Sequence, residues 1–290
     1  MLRDRLLFGP IMVLAVLAGT WFDGVLDATP LPGNATRTFP PAIIVGALTL
    51  ILAALASREL VDIFRAKGIQ ASIWLTTALA WMGVLLAGTL PDGGSAFVGA
   101  ATVSTATVVV VVATLVYSAR EKQVEGIVTA AGAGLLAFVY IGLLLGFLIA
   151  ICREHAAWTA AWVALVTKMT DVGAYFVGRA IGKHKLAPWL SPGKTWEGLA
   201  GGVVFGVIVG AAGTLVPTVS IHPVAGAIYG ALFAFVGLGG DLIASLLKRD
   251  AGRKDASDAL PGFGGIIDVL DSLLLVLPLA YWLLHFGPAA

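Results

Sequence analysis

Apolar residues run along this chain in long blocks separated by short polar stretches. A helix needs about 20 predominantly apolar residues to cross a bilayer, within a range of roughly 17–25. Segments 6–22, 40–56, 72–90, 96–117, 127–151, 157–178, 198–216, 223–243 and 266–286 meet that measure. The pattern predicts an all-α, polytopic integral membrane protein with about nine transmembrane helices. The first segment resembles a signal peptide, but no small-residue cleavage site precedes Asp23, so it is read as an uncleaved first span.

Composition agrees with that reading. The chain is 59% hydrophobic and 12% charged, whereas a soluble domain carries about 25% charge. A net charge of +1 gives no bulk affinity for nucleic acid, and the single Cys152 excludes an intrachain disulfide and a thiolate metal cluster. Placement of the charges is more telling than their sum. With the N-terminus in the cytoplasm, only Arg37 and Arg153 of the 18 Lys and Arg fall outside, and Lys168 lies within a span. Arg3, Arg5, Arg58, Arg65, Lys67, Arg120, Lys122 and the basic residues of later loops all fall inside, as the positive-inside rule requires.

The two halves differ in chemistry. Residues 1–156 hold five spans, short loops and no acidic residue deep in a span; Ser57 to Lys67 reads as a solvated, amphipathic helix end. The sequon at Asn34 matters only in a secretory compartment. Residues 157–290 hold four spans and two basic cytoplasmic loops, 179–197 and 245–265. Here Lys168, Asp171, Asp241, Asp268 and Asp271 fall inside or at the edge of spans, where charge is costly and marks function. Glycine-rich 198–213 favours close helix packing.

Asp241, Ser245 and Lys248 are spaced to share one helix face, as are Asp171, Tyr175 and Gly178. Asp268 and Asp271 are neighbours at i, i+3. Between Asp241 and Asp268 runs a loop in which Pro261-Gly262 and Gly264-Gly265 break the helix and free backbone N–H groups for an anion. Carboxylates from two helices suit a hard cation such as Mg²⁺, which bridges to substrate phosphates. Lys248, Arg249, Arg253 and Lys254 are placed to balance a triphosphate. A solvated ion-pair reading competes evenly for Asp250, Asp255 and Asp258.

Other motifs are set aside. Ser191-Pro192-Gly193-Lys194-Thr195 looks like a phosphate loop, but a Walker A motif needs Gly where Pro188 stands. Ser245-Leu246-Leu247-Lys248 fits an acylase pattern whose companion motifs are missing. His155, His184, His222 and His285 lie in separate segments and read as structural. A transporter for an anionic solute or ion is the alternative from another class, although it would place charges nearer the midplane.

Ser245-x-Leu247-Lys248-Arg249, Lys254-Asp255-x-Ser257, Leu260-Pro261-Gly262-Phe263-Gly264-Gly265, Asp268 and Asp271 together resemble the signature of the phosphatidate cytidylyltransferases, the CDP-diacylglycerol synthases. The stretches from Asp171 to Arg179 and from Ser191 to Gly198 are similar to a second block of that family, so the likeness covers about residues 171–272. One departure is Val269, where the family usually has Arg.

The resemblance implies transfer of CMP from CTP to phosphatidic acid, giving CDP-diacylglycerol and pyrophosphate for phospholipid synthesis. A related lipid-phosphate nucleotidyltransferase or kinase is the near neighbour. It implies a multi-pass protein of the inner membrane with its site on the cytoplasmic face, a homodimer, Mg²⁺ held by Asp241 and Asp268, and leaves a second, monovalent cation open. It makes Asp241, Ser245, Lys248 and Asp268 the catalytic candidates. Lys194, Ser191, Thr195, Arg249, Lys254, Asp171, Tyr175, Gly264, Gly265 and Asp271 are the candidates for binding substrate.

Overall fold

The computed structural model describes residues 2–31, 34–89, 96–120, 125–216 and 218–287; Lys122 lies outside them. Each apolar segment forms a helix: α1 Leu2–Asp27, α2 Ile43–Ala66, α3 Ile73–Thr89, α4 Ala96–Ala119, α5 Ile127–Glu154, α6 Ala157–Ile181, α7 Trp196–Gly213, α8 Pro223–Asp250 and α9 Ile266–Phe286. Among the described residues, six helices are long and apolar enough to cross a membrane by length and composition. Helix α5 widens into a π-helical stretch over Ala137–Leu143.

Two small antiparallel hairpins depart from the all-α expectation. Strands β1 (Pro30–Leu31) and β2 (Asn34–Thr38) pair between α1 and α2. Strands β3 (Lys185–Ala187) and β4 (Ser191–Thr195) pair between α6 and α7. In the second, Pro188 and Pro192 cannot continue a helix. Thr195 then turns the extended chain into α7 by accepting the Gly198 N–H at 3.1 Å on its side chain, a standard N-cap.

Lipid tails give no hydrophobic drive to bring helices together, so close packing must come from small residues. Gly206 and Gly210 of α7 face Gly230 and Gly226 of α8, and a Cβ at any of them would run into the facing backbone. Trp162 of α6 closes the group, donating its indole N–H to the Gly210 carbonyl at 3.2 Å and meeting Phe233 edge-on. One apolar core draws on both halves of the chain, from Ala42 and Leu60 to Phe233 and Leu274. Helix α4 lies against α5 and leaves Val108, Val109, Val112 and Val116 exposed.

Polar contacts sort the loops to two ends. At one end Lys67 pairs with Asp250 at 3.0 Å, and Ser257 bonds Glu59. The hairpin before α7 reaches the same region through Lys194 and Asp241. At the other end Glu154 accepts from Tyr281 at 2.6 Å and meets His285 at 2.9 Å. The basic loops after α2, α6 and α8 therefore share an end. Glu59 corrects the solvated-end expectation: it is 5% exposed, turned inward with Leu60 and Ile63.

Candidate active site

Helix α8 has 28 residues and so spans about 42 Å, longer than a hydrocarbon core of about 30 Å. Asp241, Ser245 and Lys248 follow one another along its last turns. At the preceding residue, Gly240, a Cβ would collide with the Asp271 backbone carbonyl. That approach of α8 to α9 sets Asp241 beside Asp271.

Two lysine–carboxylate pairs define the site. Lys194 of β4 lies 2.7 Å from Asp241. Lys248 pairs closely with Asp268, each side chain 8% exposed. The second Asp268 oxygen accepts the Ala256 and Gly265 N–H groups, both at 2.8 Å. Asp268 is thus a rigid post: it caps its own helix, pins the preceding loop and neutralises a buried lysine.

A second network lies one turn further along α9. Lys168 of α6 donates to Ser272 at 2.8 Å, and Ser272 donates to Asp171 at 2.8 Å. Lys168 also lies 3.3 Å from Asp171 and 3.8 Å from Asp271. Asp271, buried, accepts the Ser272 N–H at 2.7 Å. The charges of Asp241 and Asp171 act on Asp271. Tyr140, in the π-helical stretch of α5, feels Asp271 and Asp241 as well; it is 5% exposed and its hydroxyl has no partner among the described residues. A buried hydroxyl left unbonded is costly, and π-helical turns recur at functional sites.

The predicted residues divide. Asp171, Lys194, Asp241, Lys248, Asp268 and Asp271 lie in these linked groups, with Ser245 one turn from Asp241. Arg249 and Lys254 stand exposed at the same end. The remaining predicted residues lie apart from these groups or make local contacts. Tyr175 faces outward, accepting from Arg179 at 2.8 Å. Thr195 serves as the α7 cap, and half-buried Ser191 stays within β4. The loop glycines do not offer free N–H groups: Gly264 donates to Leu260 at 3.0 Å and Gly265 to Asp268. Gly264, at φ +91°, takes a left-handed turn that suits glycine, so the loop spends its donors on its own fold.

The sequence pattern gives no sign of Ser272 or Tyr140 among their apolar neighbours and presents Glu59 as part of a solvated end. Among the described residues no three His, Cys, Asp or Glu side chains form a metal cage. The carboxylate oxygens present are hard donors, and Mg²⁺ commonly uses one or two of them with water and substrate phosphate. Asp241 and Asp268 are donors of that kind, each held here by a lysine.

Comparison with known proteins adds a family. The model of the cytidylyltransferase family matches residues 35–286. The chain is 39% identical over 151 residues to the phosphatidate cytidylyltransferase of Bacillus subtilis, covering 51% of this chain and 56% of that protein. It is 44% identical over 109 residues to that of Pseudomonas aeruginosa, covering 37% and 40%. For that of Mycobacterium tuberculosis the figures are 44% over 108 residues, 36% and 32%. The matched stretch spans about half, or less, of the length of these curated relatives.

Proposed function

The chain belongs to the cytidylyltransferase family, and we propose that it is a phosphatidate cytidylyltransferase, joining CTP and phosphatidic acid into CDP-diacylglycerol with release of pyrophosphate. The observation that carries this is the pairing of Lys194 with Asp241 and Lys248 with Asp268 at the end that gathers the basic loops. In this reading all nine helices span the inner membrane, the N-terminus is cytoplasmic, and the site opens to the cytoplasm. The homodimer rests on the resemblance alone.

A phosphate oxygen of phosphatidate attacks the α-phosphorus of CTP; the bond from that phosphorus to the bridging oxygen breaks, and pyrophosphate leaves with the electron pair. The second pKa of a phosphomonoester lies near 6, so the nucleophile is already largely ionised at neutral pH and no general base is needed. The obstacle is repulsion between two anions. Asp241 and Asp268 would hold Mg²⁺, which supplies neutralisation of phosphate charge. Lys194 and Lys248, paired with those carboxylates, would add their own positive charge toward the phosphates. Arg249, Arg253 and Lys254 add positive charge at the approach.

The test is conversion of labelled CTP and phosphatidate by the purified protein, with and without chelator. Label in CDP-diacylglycerol that disappears with chelator supports the reading. Turnover of neither substrate, or CTP-independent solute uptake into liposomes, refutes it.

A further inference from the structure

Glu59 lies in the half of the chain that carries none of the predicted chemistry, yet its carboxylate is bonded entirely to the other half. One oxygen accepts from the Ser257 hydroxyl at 2.6 Å and the Ile266 N–H at 2.8 Å. The other accepts the Ile267 N–H at 2.8 Å. Ile266 and Ile267 open α9, where N–H groups lack partners within the helix and the dipole favours negative charge. Asp268 closes the same turn from within through the Gly265 N–H. Two carboxylates therefore cap one helix start, and only Glu59 comes from outside the segment.

The fit leaves no slack. A Cβ at Gly265 would stand 2.5 Å and 2.6 Å from the two Glu59 oxygens. Ser257 binds Glu59 while Ala256 binds Asp268, so adjacent loop residues are tied to two different helices. The tether sits between Lys254 on one side and Asp268 on the other.

We propose that Glu59 is a positioning residue for the polyphosphate of the nucleotide. It holds the loop 251–265 and the first turn of α9 so that Lys248, Arg249, Arg253, Lys254 and Asp268 keep one arrangement, and it does so without touching substrate. This rests on the cytidylyltransferase reading for the ligand but not for the tether.

The experiment compares wild type, Glu59→Gln, Ser257→Ala and Gly265→Ala, each full length in lipid nanodiscs, by hydrogen–deuterium exchange and by separate KM values for CTP and phosphatidate. Glu59→Gln turns an amide NH₂ toward N–H donors. It should speed exchange across 254–268 by about tenfold, with α5 unchanged. CTP KM should rise about fivefold or more, with phosphatidate KM within about twofold. Gly265→Ala, acting from the opposite side, should match it; Ser257→Ala, losing one bond of three, should fall between. Unchanged exchange in Glu59→Gln overturns the proposal. So does loosening spread over the whole bundle with both KM values moving together, the sign of a merely structural role. Wild type that neither binds nor turns over CTP overturns the functional reading instead, while exchange still decides whether Glu59 holds the loop.

Discussion

Lys194 lies 2.7 Å from Asp241, joining the hairpin that follows α6 to a carboxylate well inside α8. The contact joins one of the sequence blocks that carry the family likeness to the helix that leads into the other. It makes the hairpin part of the site, and it pairs one predicted ligand with a predicted phosphate contact.

Substitution should separate the two roles. Asp241→Asn keeps the shape of the side chain but removes the charge; activity should fall by about 100-fold or more, the scale for losing a preorganised electrostatic contact. Mg²⁺ half-saturation should rise with it. Lys194→Ala should instead raise CTP KM with a smaller change in Mg²⁺ dependence. Steady-state kinetics over a Mg²⁺ series reads both, and full activity in Asp241→Asn removes the ligand assignment.

Asp268 answers to stability as well as to catalysis. Removing it strands the buried Lys248 ammonium, and breaking a buried pair from one side costs about 3–5 kcal/mol. Asp268→Leu should therefore lower the melting temperature and abolish turnover. The pair Lys248→Met with Asp268→Leu should recover much of the melting temperature and none of the turnover. Thermal unfolding in detergent beside a pyrophosphate-release assay measures the split.

Tyr140 offers the opposite signature. Its hydroxyl is buried without a partner among the described residues, within the field of Asp241 and Asp271. Tyr140→Phe deletes an unsatisfied group whose burial costs about 1–3 kcal/mol, so the protein should melt at the same temperature or higher. If the hydroxyl serves the substrate or its bound water, kcat should fall about tenfold. Lower stability with unchanged kcat would assign it to packing.

The helices and the charged face of α8 were legible because both are local patterns. Apolar runs fix span length, and Asp241, Ser245 and Lys248 share a face by helical spacing alone. Asp268 was legible as important, but its partners were not: Lys248, Ala256 and Gly265 meet only after the loop folds back. Glu59 looked like a solvated helix end because its neighbours Arg58, Asp62 and Arg65 are charged; that α9 starts opposite it is a tertiary fact. The hairpin of 185–195 was hidden by its length, since two short strands leave no alternating pattern to count. The loop glycines misled for a related reason: glycine signals tight turns without saying whether the freed donors face a ligand or the turn itself.

The crossing of α7 and α8 can be tested without reference to activity. Gly206 and Gly230 face each other so closely that either Cβ meets the opposite backbone. Backbone cannot yield as a side chain can. Overpacking commonly costs about 1–3 kcal/mol, and a β-branched residue in this contact should reach the upper part of that range. Gly230→Val should lower the melting temperature and reduce the yield of folded protein. Gly193→Val, at an exposed hairpin position with open space for a Cβ, should leave the melting temperature within error. Because α8 carries Asp241 toward Lys194, the Gly230 variant should also weaken CTP binding in the molecules that fold. Equal melting temperatures for the two variants would mean that the glycines do not set the α7–α8 distance.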